Sequence, residues 1–298
     1  MIFHGGCVVL LLAVITFVFA ADTEVDMNGT YVKVLGQSGK IRVWKGQNSS
    51  VDPNAVQIEF DEIKEKDSSG NEVGKSGNSK HSFNTFASQS FTFSSLVDVK
   101  YQNVSAKMFN FTANLPTVSS VLSTSVYIFK EDGNITVANE TTYIKAGNVK
   151  FNTEIKGWNF CGSTGVNCTQ GQKVEQGVYI DFVIVIKGKG SAYKARKGVS
   201  DGDEYDLGGG AGVILSKKVK YDDKDWTNMS NGFPTMTTTG GKQIFTFRFD
   251  KFNSSALYDP IVTVSGSVDG NTYGNGGFEL SASSLFMFTL IILFCLLF

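Results

Sequence analysis

Apolar and polar residues alternate along several stretches of the chain. Residues 56–60 (VQIEF) and 245–249 (FTFRF) each place an apolar side chain at every second position. Because side chains along a strand point to opposite faces in turn, each stretch predicts a β-strand with one buried face. Residues 178–186 (VYIDFVIVI) are apolar on both faces except at Asp181, which predicts a central strand covered on both sides.

The segments between these strands predict turns and loops. Residues 126–137 (VYIFKEDGNITV) predict a β-hairpin with Asp132-Gly133 at its turn. Residues 66–82 are small and polar and predict a long flexible loop, and residues 187–212 predict a second one, with a basic block before an acidic block. With 32 Gly and 4 Pro among many short strands, the pattern predicts an all-β ectodomain of β-sandwich or jelly-roll-like architecture.

The two ends of the chain differ from the rest. Residues 1–20 contain an apolar run of signal-peptide length, although they lack the usual leading Lys or Arg. Residues 21–275 are then the extracellular β-rich region, either one large domain or two smaller ones with a boundary near Pro116.

The C-terminal residues predict a lipid anchor. Residues 285–298 are almost all apolar, but they are fewer than the roughly 20 that a spanning helix needs. Small residues and a short spacer precede them, which is typical of glycosylphosphatidylinositol (GPI) attachment. We expect attachment at Asn275, with Gly274 or Asn271 as alternatives, and removal of residues 276–298. A short tail-anchored helix is the other interpretation.

Two cysteines, Cys161 and Cys168, lie between the terminal segments. In an oxidising compartment such a close pair predicts a disulfide bond. Closing this small loop stabilises the fold by roughly 2.5 kcal/mol on the chain-entropy model. Because no histidine lies near the two cysteines in the sequence, they are too few to predict a structural zinc site.

Acceptor sites for N-linked glycans are spread along the chain. The Asn-x-Ser/Thr pattern occurs more often than chance placement predicts, which indicates a glycosylated surface with exposed acceptor residues. The predicted acceptors are Asn28, Asn48, Asn103, Asn110, Asn134, Asn139, Asn167, Asn228 and Asn253.

Composition argues against several classes of enzyme and partner. Lys and Arg number 27 against 28 Asp and Glu, so the net charge of −1 favours neither nucleic acid as a partner nor an acidic polyelectrolyte. Between residues 21 and 275 the single histidine is His81, which lies in the predicted flexible loop, so a Ser-His-Asp hydrolase would have to use a residue of that loop. A glycosidase needs only two carboxylates, but no pair is singled out. We therefore expect no enzymatic activity.

Two charged segments predict possible ligands. Asp201, Asp203 and Asp206 supply hard oxygen atoms within a short segment, so calcium is the one candidate cofactor, although the EF-hand pattern is not met and a solvated acidic turn is the other interpretation. Anionic glycans are the candidate ligand of a basic group, with an exposed, charge-balanced loop as the alternative. This group comprises Lys187, Lys189, Lys194, Arg196, Lys197, Lys217, Lys218 and Lys220.

Four segments resemble a known family. They are similar to the uncharacterised skeletal organic matrix proteins of stony corals, a cnidarian group of secreted, β-rich glycoproteins. The segments are residues 56–75 (VQIEFDEIKEKDSSGNEVGK), 126–135 (VYIFKEDGNI), 149–168 (VKFNTEIKGWNFCGSTGVNC) and 244–260 (IFTFRFDKFNSSALYDP). The resemblance implies deposition in or beside a calcium carbonate skeleton, and it brings no catalytic or binding residues. The near-neutral charge departs from the strongly acidic composition expected of a protein that nucleates carbonate.

These observations lead to two hypotheses of function. The first is a non-catalytic, GPI-anchored extracellular glycoprotein that acts as a structural or adhesive matrix component in biomineralisation. The second is a GPI-anchored receptor of the same architecture that recognises a ligand at the cell surface. The partners to be expected are a membrane, reached through the anchor, and extracellular matrix, glycans or mineral.

Overall fold

A computed structural model describes most of the chain between residues 23 and 272. The described residues are 23–27, 30–35, 40–45, 56–74, 81–84, 91–163, 166, 168–170, 173–187, 193–197, 202–208, 211–230, 232–240, 242–263, 267–268 and 271–272. The predicted signal segment 1–20, the attachment residue Asn275 and the segment 276–298 lie outside them. Among the described residues, no helix has the length and apolar character needed to cross a membrane.

Almost all of the regular structure is β-strand. The first half of the chain contains β1 Thr23–Met27, β2 Thr30–Leu35, β3 Lys40–Lys45, β4 Val56–Lys66, β5 Ser82–Asn84, β6 Phe91–Phe93, β7 Val97–Tyr101, β8 Val104–Leu115, β9 Ser120–Phe129, β10 Gly133–Val137, β11 Glu140–Ile144 and β12 Val149–Lys156. The second half contains β13 Thr169–Gln170, β14 Lys173–Val174, β15 Tyr179–Lys187, β16 Tyr193–Lys197, β17 Gly202–Gly208, β18 Ala211–Ser216, β19 Lys218–Tyr221, β20 Trp226–Asn228, β21 Thr235–Thr239, β22 Lys242–Asp250, β23 Ser255–Tyr258, β24 Ile261–Thr263, β25 Ser267–Val268 and β26 Asn271–Thr272. A single 3₁₀ turn, Pro116–Val118, is the helical element of the described residues.

Two large antiparallel sheets form the fold. The first has the order β1-β2-β3-β4-β15-β22-β21, with β5 also paired to β4. The second has the order β16-β17-β18-β24-β12-β23-β19-β20, and β9 joins β8 to β12 while β6 and β7 pair with β8. Three two-stranded ribbons, β10-β11, β13-β14 and β25-β26, lie outside this pair of sheets.

The two sheets pack face to face around an aromatic core. Phe60 of the first sheet lies 5.6 Å from Phe111 of the second between ring centroids. Phe247 of the first sheet lies 4.5 Å from Tyr258 of the second. Aromatic pairs at such distances stabilise a core beyond the area that they bury. The structure therefore confirms the predicted all-β sandwich.

The alternating strands are confirmed in detail. Along β4 and β22 the alternate apolar residues are buried and their neighbours are partly exposed. The doubly apolar stretch forms β15, which is buried along nearly its whole length and pairs with β4 on one side and β22 on the other. Period-two patterning identified β4 and β22 because their two faces meet different environments, whereas an almost unbroken apolar run identified β15.

The predicted hairpin over residues 126–137 is wrong. Residues before Asp132 belong to β9, which pairs with β8 and β12, whereas residues after it belong to β10, which pairs with β11. The β10–β11 turn falls at Ala138 and Asn139, both with positive φ, as tight hairpin turns require. Asp132-Gly133 therefore marks the connection between β9 of the second sheet and the β10–β11 ribbon, and β9 and β10 do not pair with each other.

The second predicted loop is also wrong over much of its length, because residues 193–197 and 202–208 form paired strands. Register places Arg196 opposite Glu204 and Lys197 opposite Asp203. The basic and acidic blocks therefore lie opposite each other in the register of two antiparallel strands.

Pro116 lies at the turn between β8 and β9, and these strands pair along their lengths down to Leu115 and Ser120. Core residues from both sides of Pro116 belong to the same hydrophobic cluster.

Candidate functional site

A buried carboxylate at the end of β4 organises one corner of the sandwich. Glu65 has no solvent-exposed surface. Its Oε2 accepts hydrogen bonds from Trp158 Nε1 at 2.7 Å and from His81 Nδ1 at 2.6 Å. Its Oε1 accepts a bond from the backbone N–H of Cys161 at 2.7 Å. Both oxygens are thus hydrogen-bonded, which is how proteins accommodate a buried carboxylate.

A bulge in β4 brings Glu65 inward. Pairing with β15 shifts register between Val183 and Ile184, so that Asp61 is an extra residue on the β4 side. An extra residue reverses which positions face the core. After the bulge, Ile63 and Glu65 are therefore the buried positions.

His81 lies between this carboxylate and the disulfide. Its exposed fraction is 1%. Nδ1 lies 3.4 Å from Cys161 Sγ and Nε2 lies 3.7 Å from Cys168 Sγ. The edge of the ring meets Trp158, with 6.4 Å between centroids. The interpretation of residues 66–82 as one flexible loop is wrong for His81, which is a core residue.

The structure contains the predicted bond between Cys161 and Cys168. Backbone bonds fix the surrounding segment: the Gly177 N–H donates to the Cys161 carbonyl, and the Glu175 N–H donates to the Cys168 carbonyl. A Cβ at Gly177 would lie 1.5 Å from Glu65 Oε1, so only glycine allows the backbone to pass this close to the carboxylate.

The sequence did not reveal this cluster. Glu65, His81 and Trp158 are far apart in the chain, and the fold alone brings them to the cysteines. One signal for the burial of Glu65 was available: it follows the core residue Ile63 by two positions on one strand, so both side chains point to the same face. Among the described residues, one set of three or more His, Cys, Asp or Glu side chains is placed to hold a metal ion: His81, Cys161 and Cys168. The two cysteines have no histidine near them in the sequence, but in the structure His81 lies beside them.

A second buried charge lies on the opposite side of the second sheet. Lys150 of β12 is fully buried, and its Nζ lies 3.1 Å from Asp259 Oδ2 and 3.0 Å from the Asp259 carbonyl. Burial lowers the pKa of Lys150, and the attraction of Asp259 opposes this effect. Burial likewise raises the pKa of Asp259. The Oδ1 atom of Asp259 has no hydrogen-bond partner in the described structure.

Asp181, the polar residue of the central strand, forms an ion pair. Both of its oxygens accept hydrogen bonds from Arg248, at 2.7 Å each. The bond with Asp181 raises the pKa of Arg248, whose guanidinium also lies over the Phe233 ring at 4.3 Å. Asp181 is therefore a paired residue between strands β15 and β22.

Asp222 holds a surface turn together. Its Oδ1 accepts the backbone N–H groups of Ser254 at 2.6 Å and of Ser255 and Asn253 at 3.1 Å. Partial burial raises the pKa of Asp222, but these backbone hydrogen bonds outweigh it and lower the pKa to about 2. Because the amides occupy this carboxylate, Asp222 belongs to the loop scaffold.

The predicted glycan acceptors fall into three groups. Asn28, Asn48 and Asn167 lie outside the described residues. Asn110 is half-buried, with an Oδ1 atom that lacks a hydrogen-bond partner. The remaining acceptors are exposed, as glycosylation requires: Asn103, Asn134, Asn139, Asn228 and Asn253.

Two of the three predicted calcium ligands lie on a strand. Asp203 and Asp206 belong to β17, which is paired on both sides, and Asp201 lies outside the described residues. Calcium binding there stays a prediction. Of the basic residues, Lys187 donates a bond to Glu59 at 3.2 Å, and Lys220 lies 3.6 Å from Asp223.

Comparison with solved structures gives a distant likeness. Two structures of the α-N-acetylgalactosaminidase NagBb from Bifidobacterium bifidum, one with GalNAc and one with Gal-NHAc-DNJ, match with TM-scores of 0.35 and 0.34 at 8% and 7% identity. Each match covers 81% of this chain, which spans about a third (36%) of the enzyme. A likeness of this size carries no argument about catalysis.

Comparison with a family model identifies the family of the chain. The model of the acidic skeletal organic matrix proteins matches residues 18–298, nearly the whole chain. The match includes both sheets, the buried carboxylate and the disulfide. The chain belongs to the acidic skeletal organic matrix protein family.

Proposed function

We propose that this skeletal organic matrix protein is a non-catalytic, GPI-anchored extracellular glycoprotein with a structural and adhesive role in a calcium carbonate skeleton. The observation that carries the proposal is the family match over residues 18–298. Membership of the family makes the chain an extracellular matrix protein of biomineralisation; the anchor, the glycans and the adhesive role are the proposed parts.

The charge distribution favours adhesion over direct nucleation of mineral. The net charge is −1, despite the acidic name of the family. Partners already engage surface carboxylates: Lys40 and Lys187 both contact Glu59, at 3.0 and 3.2 Å. Lys107 and Lys130 both contact Asp98. Carboxylates paired in this way offer no continuous array of free negative charge to carbonate-bound calcium.

Exposed glycan acceptors support a role at a hydrated interface. Asn134 and Asn139 lie on the β10–β11 ribbon, outside the two large sheets. Asn228 lies at the end of β20, the outermost strand of its sheet. Glycans at these positions would cover the periphery of the sandwich and leave its core undisturbed.

The anchor is tested by expressing the full chain in animal cells and treating them with phosphatidylinositol-specific phospholipase C. Release of a glycosylated protein is the expected result, and untreated cells are the matched control. Treatment with an N-glycosidase is expected to shift the released protein to lower mass. Retention on the cells without incorporation of labelled ethanolamine would contradict the anchor.

The matrix role is tested on the skeleton itself. Washed skeleton is demineralised with a chelator, and antibodies to the chain are applied to the remaining organic material. The protein is expected in that material. Its absence there, together with its presence on the surface of the secreting cells, would instead support a cell-surface receptor.

A further inference from the structure

The nitrogen atom Nε2 of His81 has an unusual environment. In the neutral ring, Glu65 accepts the proton of Nδ1, so Nε2 carries a free lone pair. The contact described for Nε2 is Cys168 Sγ at 3.7 Å, and a disulfide sulfur has no proton to donate. An imidazole acceptor that is 99% buried is thus directed at a sulfur pair without a hydrogen-bond donor.

The spacing of these atoms matches a tetrahedral metal site. Zinc bonds of about 2.3 Å to sulfur and about 2.0 Å to nitrogen place neighbouring ligand atoms roughly 3.5–3.8 Å apart. The contact of His81 Nε2 with Cys168 Sγ, at 3.7 Å, has this spacing. The ligand atoms of His81, Cys161 and Cys168 all lie within 4.8 Å of one another. Reduction of the disulfide allows the two sulfur atoms to separate from bonding distance to the roughly 3.8 Å that two thiolate ligands need.

Glu65 supplies the support that a metal-binding histidine needs. A histidine ligand in a metal site donates its second N–H to a carboxylate or carbonyl, which fixes the tautomer and the orientation of the ring. The 2.6 Å contact of His81 Nδ1 with Glu65 provides this arrangement. Trp158 and the Cys161 N–H hold the carboxylate in place in turn.

We propose that the reduced chain binds a divalent metal ion of the zinc class through Cys161 Sγ, Cys168 Sγ and His81 Nε2, with Glu65 as the residue that orients the histidine. A thiol or phosphine reductant supplies two electrons, and two protons convert the disulfide to two thiols while the reductant is oxidised. The metal ion then displaces the two thiol protons and forms two metal–thiolate bonds. Water occupies the fourth position. The same two sulfur atoms therefore either form the disulfide or bind the metal ion, and either bond links the two cysteines.

The test uses cobalt(II) as a spectroscopic probe on the full-length protein purified in detergent. The unreduced protein serves as the reference, because it is the same chain with the disulfide closed. After reduction, thiol titration is expected to find two more thiols per chain, with the β circular dichroism retained. Added cobalt is expected to give thiolate-to-metal charge-transfer absorption in the near ultraviolet and intense visible bands of tetrahedral geometry. Reoxidation is expected to abolish both.

Two variants separate the site from general thiol binding. His81→Gln is expected to abolish the tetrahedral bands, because it removes the nitrogen ligand. Glu65→Gln is expected to weaken metal binding by about tenfold or more while the bands keep their positions, since it disturbs only the orientation of the ligand.

Three results would overturn the proposal. In the first, the thiols become accessible only when the β circular dichroism is lost. In the second, a folded, reduced chain gives no cobalt bands. In the third, His81→Gln leaves the bands unchanged in a folded protein.

Discussion

Glu65 and Asp259 are two buried carboxylates in opposite parts of the sandwich, and the protein treats them differently. Their exposed fractions are 0% and 4%. Glu65 has hydrogen bonds at both oxygens, all from groups without a formal charge if His81 is neutral. Asp259 faces a buried ammonium through Oδ2 and leaves Oδ1 without a partner.

From this difference we expect Glu65 to be the better supported of the two carboxylates, although Asp259 is the one that faces an opposite charge. An ion pair in a core must recover the desolvation of both ions, and it often does no better than apolar residues of similar size. Where the donors are neutral, the hydrogen bonds have to compensate for the desolvation of the carboxylate alone. We therefore expect the Glu65 cluster to stabilise the fold and the Lys150–Asp259 pair to add little net stability.

Glu65→Ala is expected to give the largest effect. It leaves the Trp158 N–H, the Cys161 N–H and His81 without their acceptor. At about 1–3 kcal/mol for each buried unsatisfied group, the free energy of unfolding should fall by about 5 kcal/mol. Urea-induced unfolding measures it. Glu65→Gln, which keeps the shape and one acceptor oxygen, should lose clearly less; equal losses would show that the hydrogen bonds are not the source of stability.

Lys150→Met is expected to cost about 3–4 kcal/mol, because it leaves the Asp259 carboxylate buried without its cation. The double variant Lys150→Met/Asp259→Leu should recover most of this loss, since it removes both ions. A double-mutant cycle on the free energies of unfolding measures the coupling. A double variant as unstable as the single one would mean that the pair itself stabilises the core, contrary to the comparison.

Asp222 extends the comparison to a partly exposed carboxylate with several backbone donors. Its folded pKa of about 2 lies below the ordinary value of 3.8, so its contribution is fully present above pH 3.8 and is lost as the pH falls through 2. Asp222→Ala should lower the free energy of unfolding by about 1 kcal/mol at neutral pH and flatten its dependence on pH in that window. Asp223→Ala is the matched control, because Asp223 is 91% exposed. A difference that persists below pH 2 would contradict the assignment.

The sequence predicted the strands well where the pattern of apolar residues matches the pattern of burial. In β4, in β15 and at Phe245, Phe247 and Phe249 of β22, the apolar residues fall where the structure buries them. The disulfide was predictable because its two cysteines lie seven residues apart. In both cases the determining interactions are local, so a short window of sequence contains them.

The rest depended on which strands become neighbours. Asp132-Gly133 has the composition of a hairpin turn, yet β9 finds better partners in β8 and β12. His81 lies in a polar segment, and its burial follows from Glu65 and Trp158, which no local pattern connects to it. Asp181 interrupts the apolar run of β15, and its partner Arg248 lies across a register that the sequence does not specify.

The span of the buried contacts also sets the order in which the chain can fold. The bond from Cys161 to Glu65 joins residues 96 positions apart, and the bond from Lys150 to Asp259 joins residues 109 positions apart. Contacts of such long range form only after their loop entropy has been overcome, which makes folding slow. During synthesis, β4 therefore stays without its partner β15 until that strand has been made. In the same way, β12 stays without β23 and β24. The nascent protein needs protection from aggregation until its last strands emerge.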